Sequence, residues 1–143
     1  MKTLTIKPTD VKHSWHLVDL DGKTLGRVST EIAQLLIGKG KPLSGGHLDN
    51  GDFVVAINAA KIHVTGKKVT DKKYYSHSGF PGGLKELSFE QLLAKDPRKV
   101  IEKAVKGMLP KNKHQQTRLR RLKVYPDATH PYSVELGLNK ETK

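Results

Sequence analysis

The middle of the chain reads Phe53-Val54-Val55-Ala56-Ile57-Asn58-Ala59, and this run indicates the fold. The side chains of a strand point alternately to its two faces, and here both sets of alternating positions are apolar. Such a pattern is typical of a strand that helices cover on both sides, as in a parallel sheet. We therefore expect residues 53–59 to form a buried strand of an α/β domain.

A strand and a helix are predicted before this run. Residues 15–20 alternate apolar and polar side chains, which favours a strand. From Leu25 to Leu36 apolar residues recur at steps of three and four, which predicts a helix that Thr24 can cap. Gly38 and Gly40 are expected to end that helix. Strand, helix and strand in this order favour a right-handed crossover unit.

Less regular structure is predicted after the run. Residues 61–65 have the pattern of a short further strand that Gly66 interrupts. A cationic loop is expected over residues 67–73. Residues 74–83 begin with two tyrosines and end in glycines, so an extended loop is expected there.

Two more helices carry their own start signals. Ser88 is followed three residues later by Gln91, which is a capping-box pattern and predicts a helix through Lys95. Asp96-Pro97 predicts the start of the next helix, because aspartate is a good cap and proline suits the first helical position. That helix is expected to stop before Pro110.

The length and composition favour a single domain, residues 1–143. A last strand is expected at residues 122–125. Residues 1–13 are expected to form a basic extended arm, and the C-terminal tail is expected to fray.

Cysteine is absent, so disulfides and thiolate metal sites are not available. No apolar run approaches the ~20 residues of a membrane span, and no secretory signal is visible. A soluble intracellular protein without a membrane partner is expected.

Most of the positive charge lies in one segment, residues 98–123. It holds ten lysine and arginine residues and a single acid, Glu102, so its net charge is +9, whereas the whole chain carries +12. Apolar residues run through the same segment, which distinguishes it from a disordered basic tail. We therefore expect a folded element that buries one face and presents a cationic face to a polyanion, with nucleic acid favoured.

No catalytic arrangement emerges from the sequence. Gly22-Lys23-Thr24 resembles the end of a phosphate-binding loop, but Leu17 stands where that loop needs a glycine, and Asp19 would repel phosphate. The seven histidines form no zinc-binding pattern, and no serine lies in a nucleophile elbow. We predict no enzyme activity, no metal, no cofactor and no small-molecule substrate. A phosphate-handling enzyme that uses Lys23 remains the alternative.

The candidate site is a set of cations with a few aromatic rings. Arginine can grip phosphate with two parallel hydrogen bonds, and lysines beside aromatic rings suit RNA, whose exposed bases stack. The alternative for the loop at residues 67–77 is a solvated lysine loop with one tyrosine packed in the core. The predicted RNA-binding residues are Lys106, Lys111, Lys113, Arg118, Arg120, Arg121 and Lys123, then Lys67, Lys68, Lys72, Lys73, Tyr74 and His77, and finally Lys39 and Lys41.

Several motifs, in order along nearly the whole chain, resemble one known family, the ribosomal protein L13 family of the large subunit. The motifs that carry the resemblance are Trp15-His16-Leu17-Val18-Asp19, Gly22-Lys23-Thr24-Leu25-Gly26-Arg27, Asp49-Asn50-Gly51-Asp52, Val64-Thr65-Gly66-Lys67-Lys68, Tyr74-Tyr75-Ser76-His77-Ser78-Gly79, Ala104-Val105-Lys106-Gly107-Met108-Leu109-Pro110 and Leu122-Lys123-Val124-Tyr125. The C-terminal tail departs from the family pattern at Tyr132 and Glu135 and is left out of the predicted site.

The resemblance implies a three-layer α/β/α domain with a four-stranded, mainly parallel sheet. It also implies a structural, non-catalytic role, early binding to large-subunit ribosomal RNA, and neighbouring large-subunit ribosomal proteins as partners. The expected location is the cytoplasmic ribosome, with an organellar ribosome as the other possibility. A free regulator that binds a messenger RNA hairpin is the second alternative.

Overall fold

The computed structural model describes residues 6–42 and 44–137. The strands are β1 (Trp15–Asp19), β2 (Phe53–Ile57), β3 (Lys73–His77), β4 (Leu84–Ser88) and β5 (Leu122–Val124). The helices are α1 (Leu25–Ile37), α2 (Lys68–Asp71), α3 (Phe89–Lys95), α4 (Pro97–Met108) and α5 (Gln115–Arg120), and single 3-10 turns lie at Pro8–Asp10 and Ala59–Lys61. In the described ranges, none of the helices combines the length and the apolarity that crossing a bilayer requires.

The main sheet confirms the prediction made for the run at residues 53–59. Strands β1, β2 and β5 are parallel, and β2 lies between the other two. Val54, Val55 and Ala56 are completely buried, as expected for a strand that is apolar on both faces. Strand β1, helix α1 and strand β2 follow one another as the sequence predicts, so the mixed α/β class is confirmed.

Among the described residues the parallel sheet has three strands, and the fourth strand that we expected is not found there. The predicted strand at residues 53–59 ends at Ile57, and residues 59–61 form a 3-10 turn. The predicted strand at residues 61–65 is reduced to one parallel bridge between Thr24 and His63. The cause is local, because Asn58 takes a left-handed backbone conformation (φ 58°) and turns the chain out of the sheet direction. The N–H of Asn58 then donates to the carbonyl of Asp127 at 3.2 Å.

Two predicted loops are wrong in the same region. Residues 67–73 contain the short helix α2, and residues 74–83 belong to an antiparallel hairpin of β3 and β4 that is separate from the main sheet. Two glycines with positive φ, Gly79 (86°) and Gly82 (71°), allow the chain to reverse at the hairpin end. Tyr74 and Leu87 face each other across the hairpin and pack against the core, which fixes the hairpin on the domain.

The core lies between the sheet and helices α1 and α4. Ile32 and Leu36 of α1 meet Val100, Ile101 and Val105 of α4 in one cluster that also contains residues of β2 and β5. These helical positions recur at the spacing that the sequence predicts.

Aromatic side chains cover the opposite face of the sheet. The ring of Trp15 stacks on Phe53 with centroids 4.4 Å apart and on Tyr132 at 5.1 Å. Tyr132 lies in a turn-rich segment, so irregular chain covers this part of the sheet, where we expected a helical layer.

The helix ends follow the sequence signals closely. Gln91 N–H donates to the Ser88 hydroxyl at 3.3 Å, and the Ser88 N–H donates to the Gln91 side chain at 3.1 Å, so the capping box is confirmed. Asp96 accepts a hydrogen bond from the N–H of Arg98 at 3.2 Å. Thr24 occupies the cap position of α1, but its hydroxyl makes no hydrogen bond to the first turn.

The structure tests only part of the predictions made for the two ends of the chain. Within the predicted arm, Pro8–Asp10 forms a 3-10 turn instead of extended chain. The remaining predictions for residues 1–5 and for the last residues of the tail, 138–143, fall outside the described ranges.

Candidate nucleic-acid interface

Two of the predicted RNA-binding arginines are directed inward. Arg118 is 4% exposed and Arg121 is 6% exposed. Arg118 Nε donates to Asp49 Oδ1 at 3.2 Å, Arg121 Nη2 pairs with the other oxygen of Asp49, and Arg121 Nη1 donates to the carbonyl of Gly51 at 2.5 Å. The expectation that both project from the surface is therefore wrong. The physical reason is that a carboxylate in this loop needs opposite charge when it is buried.

Lys41 is also directed inward. Its Nζ lies 2.5 Å from Asp52 Oδ1 and donates to the carbonyl of Lys12 at 2.6 Å. The buried Asp52 also accepts hydrogen bonds from the N–H of Ser14 at 2.8 Å and from His16 Nε2 at 2.9 Å. Burial by itself would raise the pKa of Asp52, but these hydrogen bonds and the charge of Lys41 outweigh it and hold the pKa below its ordinary value. Lys41 is thus a structural partner of Asp52.

A second group of cations is exposed along α4. Lys99, Lys103 and Lys106 are spaced by four and three residues, which places them on one side of the helix, opposite the buried valines and isoleucine. Shallow depressions connect them to Lys111 and to Arg120 of α5. We call these five residues the α4 surface. Among the described residues that line its depressions, the one acid is Glu102.

A groove of about 590 Å³ adjoins this surface where the start of α1 approaches the end of α4. We call it the α1–α4 groove. Its lining residues are Thr24, Leu25, Gly26, Arg27, Val64, Thr65, Lys68, Lys72, Lys103, Ala104, Gly107 and Met108. Within residues 6–42 and 44–137, no aspartate or glutamate is among them. Because Lys103 belongs to both features, the α4 surface and the groove form one continuous cationic region.

Tyr74 links the hairpin to this region. Its ring is half-buried, with Lys72 Nζ 5.5 Å and Lys103 Nζ 5.2 Å from its centroid, distances at which a cation is attracted to an aromatic face. Burial raises the pKa of the Tyr74 hydroxyl, so the ring stays neutral between two lysines. Tyr74 is therefore the tyrosine that packs inward, whereas Tyr75 is 58% exposed.

The other predicted residues lie at different distances from this region. Lys106, Lys111 and Arg120 belong to the α4 surface, and Lys68 and Lys72 line the groove. Exposed residues elsewhere are Lys67 before α2, Lys73 and His77 on the hairpin, Lys113 between α4 and α5, and Lys39 after α1. Lys73 forms an ion pair with Glu86, and Lys123 is half-buried on β5.

Three cations of the region were not among the predicted site residues. Lys99 and Lys103 have the helical spacing that leads to Lys106, so their position could have been inferred from the sequence. Arg27 gave no such signal, because only the packing of α1 against α4 brings it to the groove.

The turn at residues 22–24 does not resemble a nucleotide site in three dimensions. Asp21 forms an ion pair with Lys61 at 3.2 Å, and Asp19 accepts a hydrogen bond from Asn58 at 2.8 Å. Two carboxylates at this turn disfavour a bound phosphate. In the described part of the chain, no group of three His, Asp or Glu side chains is placed to hold a metal ion.

The fold and this surface define a class: a small basic α/β protein with a continuous cationic face. Comparison with known proteins gives the family. The family model for ribosomal protein L13 matches residues 13–131. The large ribosomal subunit protein uL13 of Ectopseudomonas mendocina is 57% identical over 135 residues, 94% of this chain and 95% of that protein. The protein of the same name from Pseudomonas syringae pv. tomato is 58% identical over 138 residues, 96% of this chain and 97% of that protein.

The chain therefore belongs to the ribosomal protein L13 family. It is a structural protein of the large ribosomal subunit and not an enzyme, which confirms the predicted family and the predicted absence of catalysis.

Proposed function

We propose that this protein binds large-subunit ribosomal RNA through the α4 surface and the α1–α4 groove. The observation that carries the proposal is the charge of this region, where exposed cations from α1, α2, α4 and α5 meet with Glu102 as the one acid among the described lining residues. An ordinary solvated helix face mixes charges of both signs. A face that does not is suited to a polyanion.

In this proposal electrostatic attraction to the phosphates provides the affinity, and the folded shape determines where and in which orientation the protein binds the RNA. Each phosphate that a lysine or arginine neutralises releases condensed counterions from the RNA. If about six phosphates are neutralised, affinity falls roughly a thousandfold or more between low and moderate salt. We expect the inward Arg118 and Arg121 to contribute less to this term, because both are buried and directed at Asp49.

The hairpin is the second part of the proposed interface. Lys73, Tyr75 and His77 alternate along β3 and are exposed on the side away from the core. Phe80, at the end of the hairpin, is 73% exposed. An exposed aromatic ring offers a stacking surface for an unpaired base, which is how proteins commonly contact single-stranded RNA.

We further propose that binding takes place early in the assembly of the large subunit, in the cytoplasm, with other large-subunit proteins as neighbours. The relatives that support this assignment are large ribosomal subunit proteins of bacteria, and nothing in the comparisons supports an organellar ribosome. A protein that must bind RNA before its neighbours arrive needs a large contact area of its own. The α4 surface and the groove bring cations from four helices into one region that could serve this purpose.

The test is to measure binding of the full chain to purified large-subunit ribosomal RNA over a series of salt concentrations. We expect a log–log slope of about −5, since each neutralised phosphate contributes roughly −0.9. Binding that does not change with salt would contradict the proposal.

A sucrose gradient of a cell extract then separates the alternatives. A ribosomal component travels with the large subunit and with its precursors, whereas a free regulator of a messenger RNA stays in the light fractions.

A further inference from the structure

We infer that the α1–α4 groove receives one unpaired nucleotide of the bound RNA, with its base or ribose against the apolar floor and its phosphates at the cationic rim. The inference rests on the proposed function and adds to it. In the proposed function this surface recognises RNA by charge alone, whereas the inference adds a contact that depends on the shape of the RNA. It follows from three features of the groove: its chemistry, its size and its two glycines.

The chemistry divides into a floor and a rim. Leu25, Val64 and Ala104 supply buried or half-buried apolar surface. The exposed cations of the rim are Arg27, Lys68, Lys72 and Lys103. A site for phosphate alone needs no apolar floor, whereas a nucleotide has both an apolar ring face and an adjacent anion. Within the described ranges no carboxylate lines the groove to oppose that anion.

Met108 is placed to contact a ring. It is 42% exposed, and its sulfur lies 3.5 Å from the hydroxyl oxygen of Thr30 in α1, a hydroxyl that also donates to the carbonyl of Gly26 at 3.0 Å. Thioethers make favourable contacts with aromatic rings and adapt to irregular shapes. The groove volume of about 590 Å³ lies in the range of sites that enclose small organic molecules, so it can accept a single nucleotide.

Gly26 and Gly107 keep the groove open. A Cβ added at either position meets no atom within 4 Å, so nothing in the fold itself requires glycine there. Glycine in a helix is also unfavourable relative to alanine. Both positions line the groove, and the absence of a side chain allows a ligand to approach the backbone closely.

The experiment compares two synthetic RNA hairpins that have the same stem, one with a single bulged adenosine and one fully paired. The wild-type chain is expected to bind the bulged hairpin about fivefold or more tightly, the range that a stacked base contributes. In the double variant Gly26→Ala, Gly107→Ala, this preference should disappear, so that the bulged and the paired hairpin bind with equal affinity. Because the added methyl groups meet open space, the melting temperature of the variant should be equal to or above that of the wild type.

Gly46→Ala is the matched control. Gly46 lies in the loop between α1 and β2, a Cβ there also meets no atom within 4 Å, and it is not among the groove residues. This variant should keep the full preference for the bulged hairpin. In addition, the amide signals of Gly26 and Gly107 in an NMR titration should shift with the bulged hairpin more than with the paired one.

The outcomes separate this inference from the proposed function. Equal binding of the two hairpins by the wild type, or an unchanged preference in the double glycine variant, would overturn the nucleotide site while leaving salt-dependent binding of large-subunit RNA intact. Failure of the wild-type chain to bind large-subunit RNA in the salt series would overturn the proposed function itself.

Discussion

The basic part of this chain divides into two groups of cations that the sequence does not distinguish. Arg118 and Arg121 are buried, Lys41 is half-buried, and all three are paired with Asp49 or Asp52. Lys103 and Lys106, with the rest of the α4 surface, lie outside and face solvent. The inner group holds the loop between α1 and β2 against α5 and the sheet. The outer group is exposed to a polyanion, although Lys99 also lies 3.7 Å from Asp96. A basic sequence segment can therefore contain some cations that stabilise the fold and others that bind a partner.

The difference between the two groups lies in what happens when one member is removed. Loss of an inner cation removes hydrogen bonds from buried or half-buried acceptors, such as Asp49, Asp52 or the carbonyl of Gly51, and the folded state becomes less stable. Loss of an outer cation leaves no buried charge unpaired, so the fold is little affected and the main change is in the affinity for a partner. The two groups can be separated by measuring stability and binding on the same variants.

The largest effect is expected from Arg121→Ala. It removes one of the two arginines on Asp49 and the hydrogen bond to the carbonyl of Gly51, and it should lower the free energy of unfolding by about 2–4 kcal/mol, since each buried hydrogen bond lost from a charged group costs about 1–3 kcal/mol. Thermal denaturation would show a melting temperature lower by roughly 10 °C. An Arg121→Ala variant as stable as the wild type would remove the distinction between the two groups.

The next effect concerns binding. The triple variant Lys103→Ala, Lys106→Ala, Lys111→Ala should reduce the log–log salt slope of binding to large-subunit RNA by about three, because each lysine neutralises about one phosphate. The control is Lys7→Ala, Lys23→Ala, Lys95→Ala, which removes the same charge from three exposed positions outside the α4 surface. Equal losses in both triple variants would mean that net charge, and not the α4 surface, determines binding.

A smaller effect is expected from Asp52→Asn, and it depends on pH. At neutral pH the loss of the charged hydrogen bonds to Lys41 and His16 should cost about 1–3 kcal/mol. The pKa of Asp52 is lower in the folded state than its ordinary value of about 3.9, so its contribution is present above that value and is lost as the pH falls through the folded pKa.

Denaturant titrations from pH 6 down to pH 2 measure the contribution of Asp52. The wild type should lose stability over this acid range more steeply than Asp52→Asn, and the two curves should approach each other at the acid end. Parallel curves would show that Asp52 does not hold the loop by charge.

The smallest effect on stability is expected from Arg120→Ala. Arg120 is the direct neighbour of Arg121 but is exposed on the α4 surface, so its loss should change the free energy of unfolding by less than about 0.5 kcal/mol. It should still weaken RNA binding at low salt. A destabilisation close to that of Arg121→Ala would place Arg120 in the inner group.

Local signals in the sequence predicted the regular elements well. The run at residues 53–59, the apolar spacing of α1 and α4, the Ser88 capping box and the Asp96-Pro97 start each act within a few residues, and each was confirmed. The hairpin was missed because its connection, residues 78–83, is longer than a two-residue hairpin turn, although Pro81-Gly82-Gly83 marks a turn. The fourth strand was expected from apolar residues at 61–65, but Ile62 and Val64 are buried beside the sheet without joining it.

The site was predicted less completely, for a physical reason. Charge shows in the sequence, whereas the direction of a long side chain depends on what the fold brings near it. Asp49 lies far from Arg118 and Arg121 along the chain, and nothing local indicates that they meet. By contrast, the position of Lys103 beside Lys106 follows from helical spacing and could have been inferred.

The central position of β2 in the sheet has a consequence for folding during synthesis of the protein. The N–H of Val54 donates to the carbonyl of Arg121 at 3.1 Å, and the N–H of Tyr125 donates to the carbonyl of Ala56 at 2.8 Å, so the central strand obtains its second neighbour from the carboxyl end of the chain. A nascent polypeptide therefore carries β2 with one open edge and Asp49 without its arginines until residues 118–125 have been translated. Pulse proteolysis of fragments that end before and after this segment should show protection gained in a single late step. Completion of the sheet and pairing of Asp49 with its arginines would then take place together.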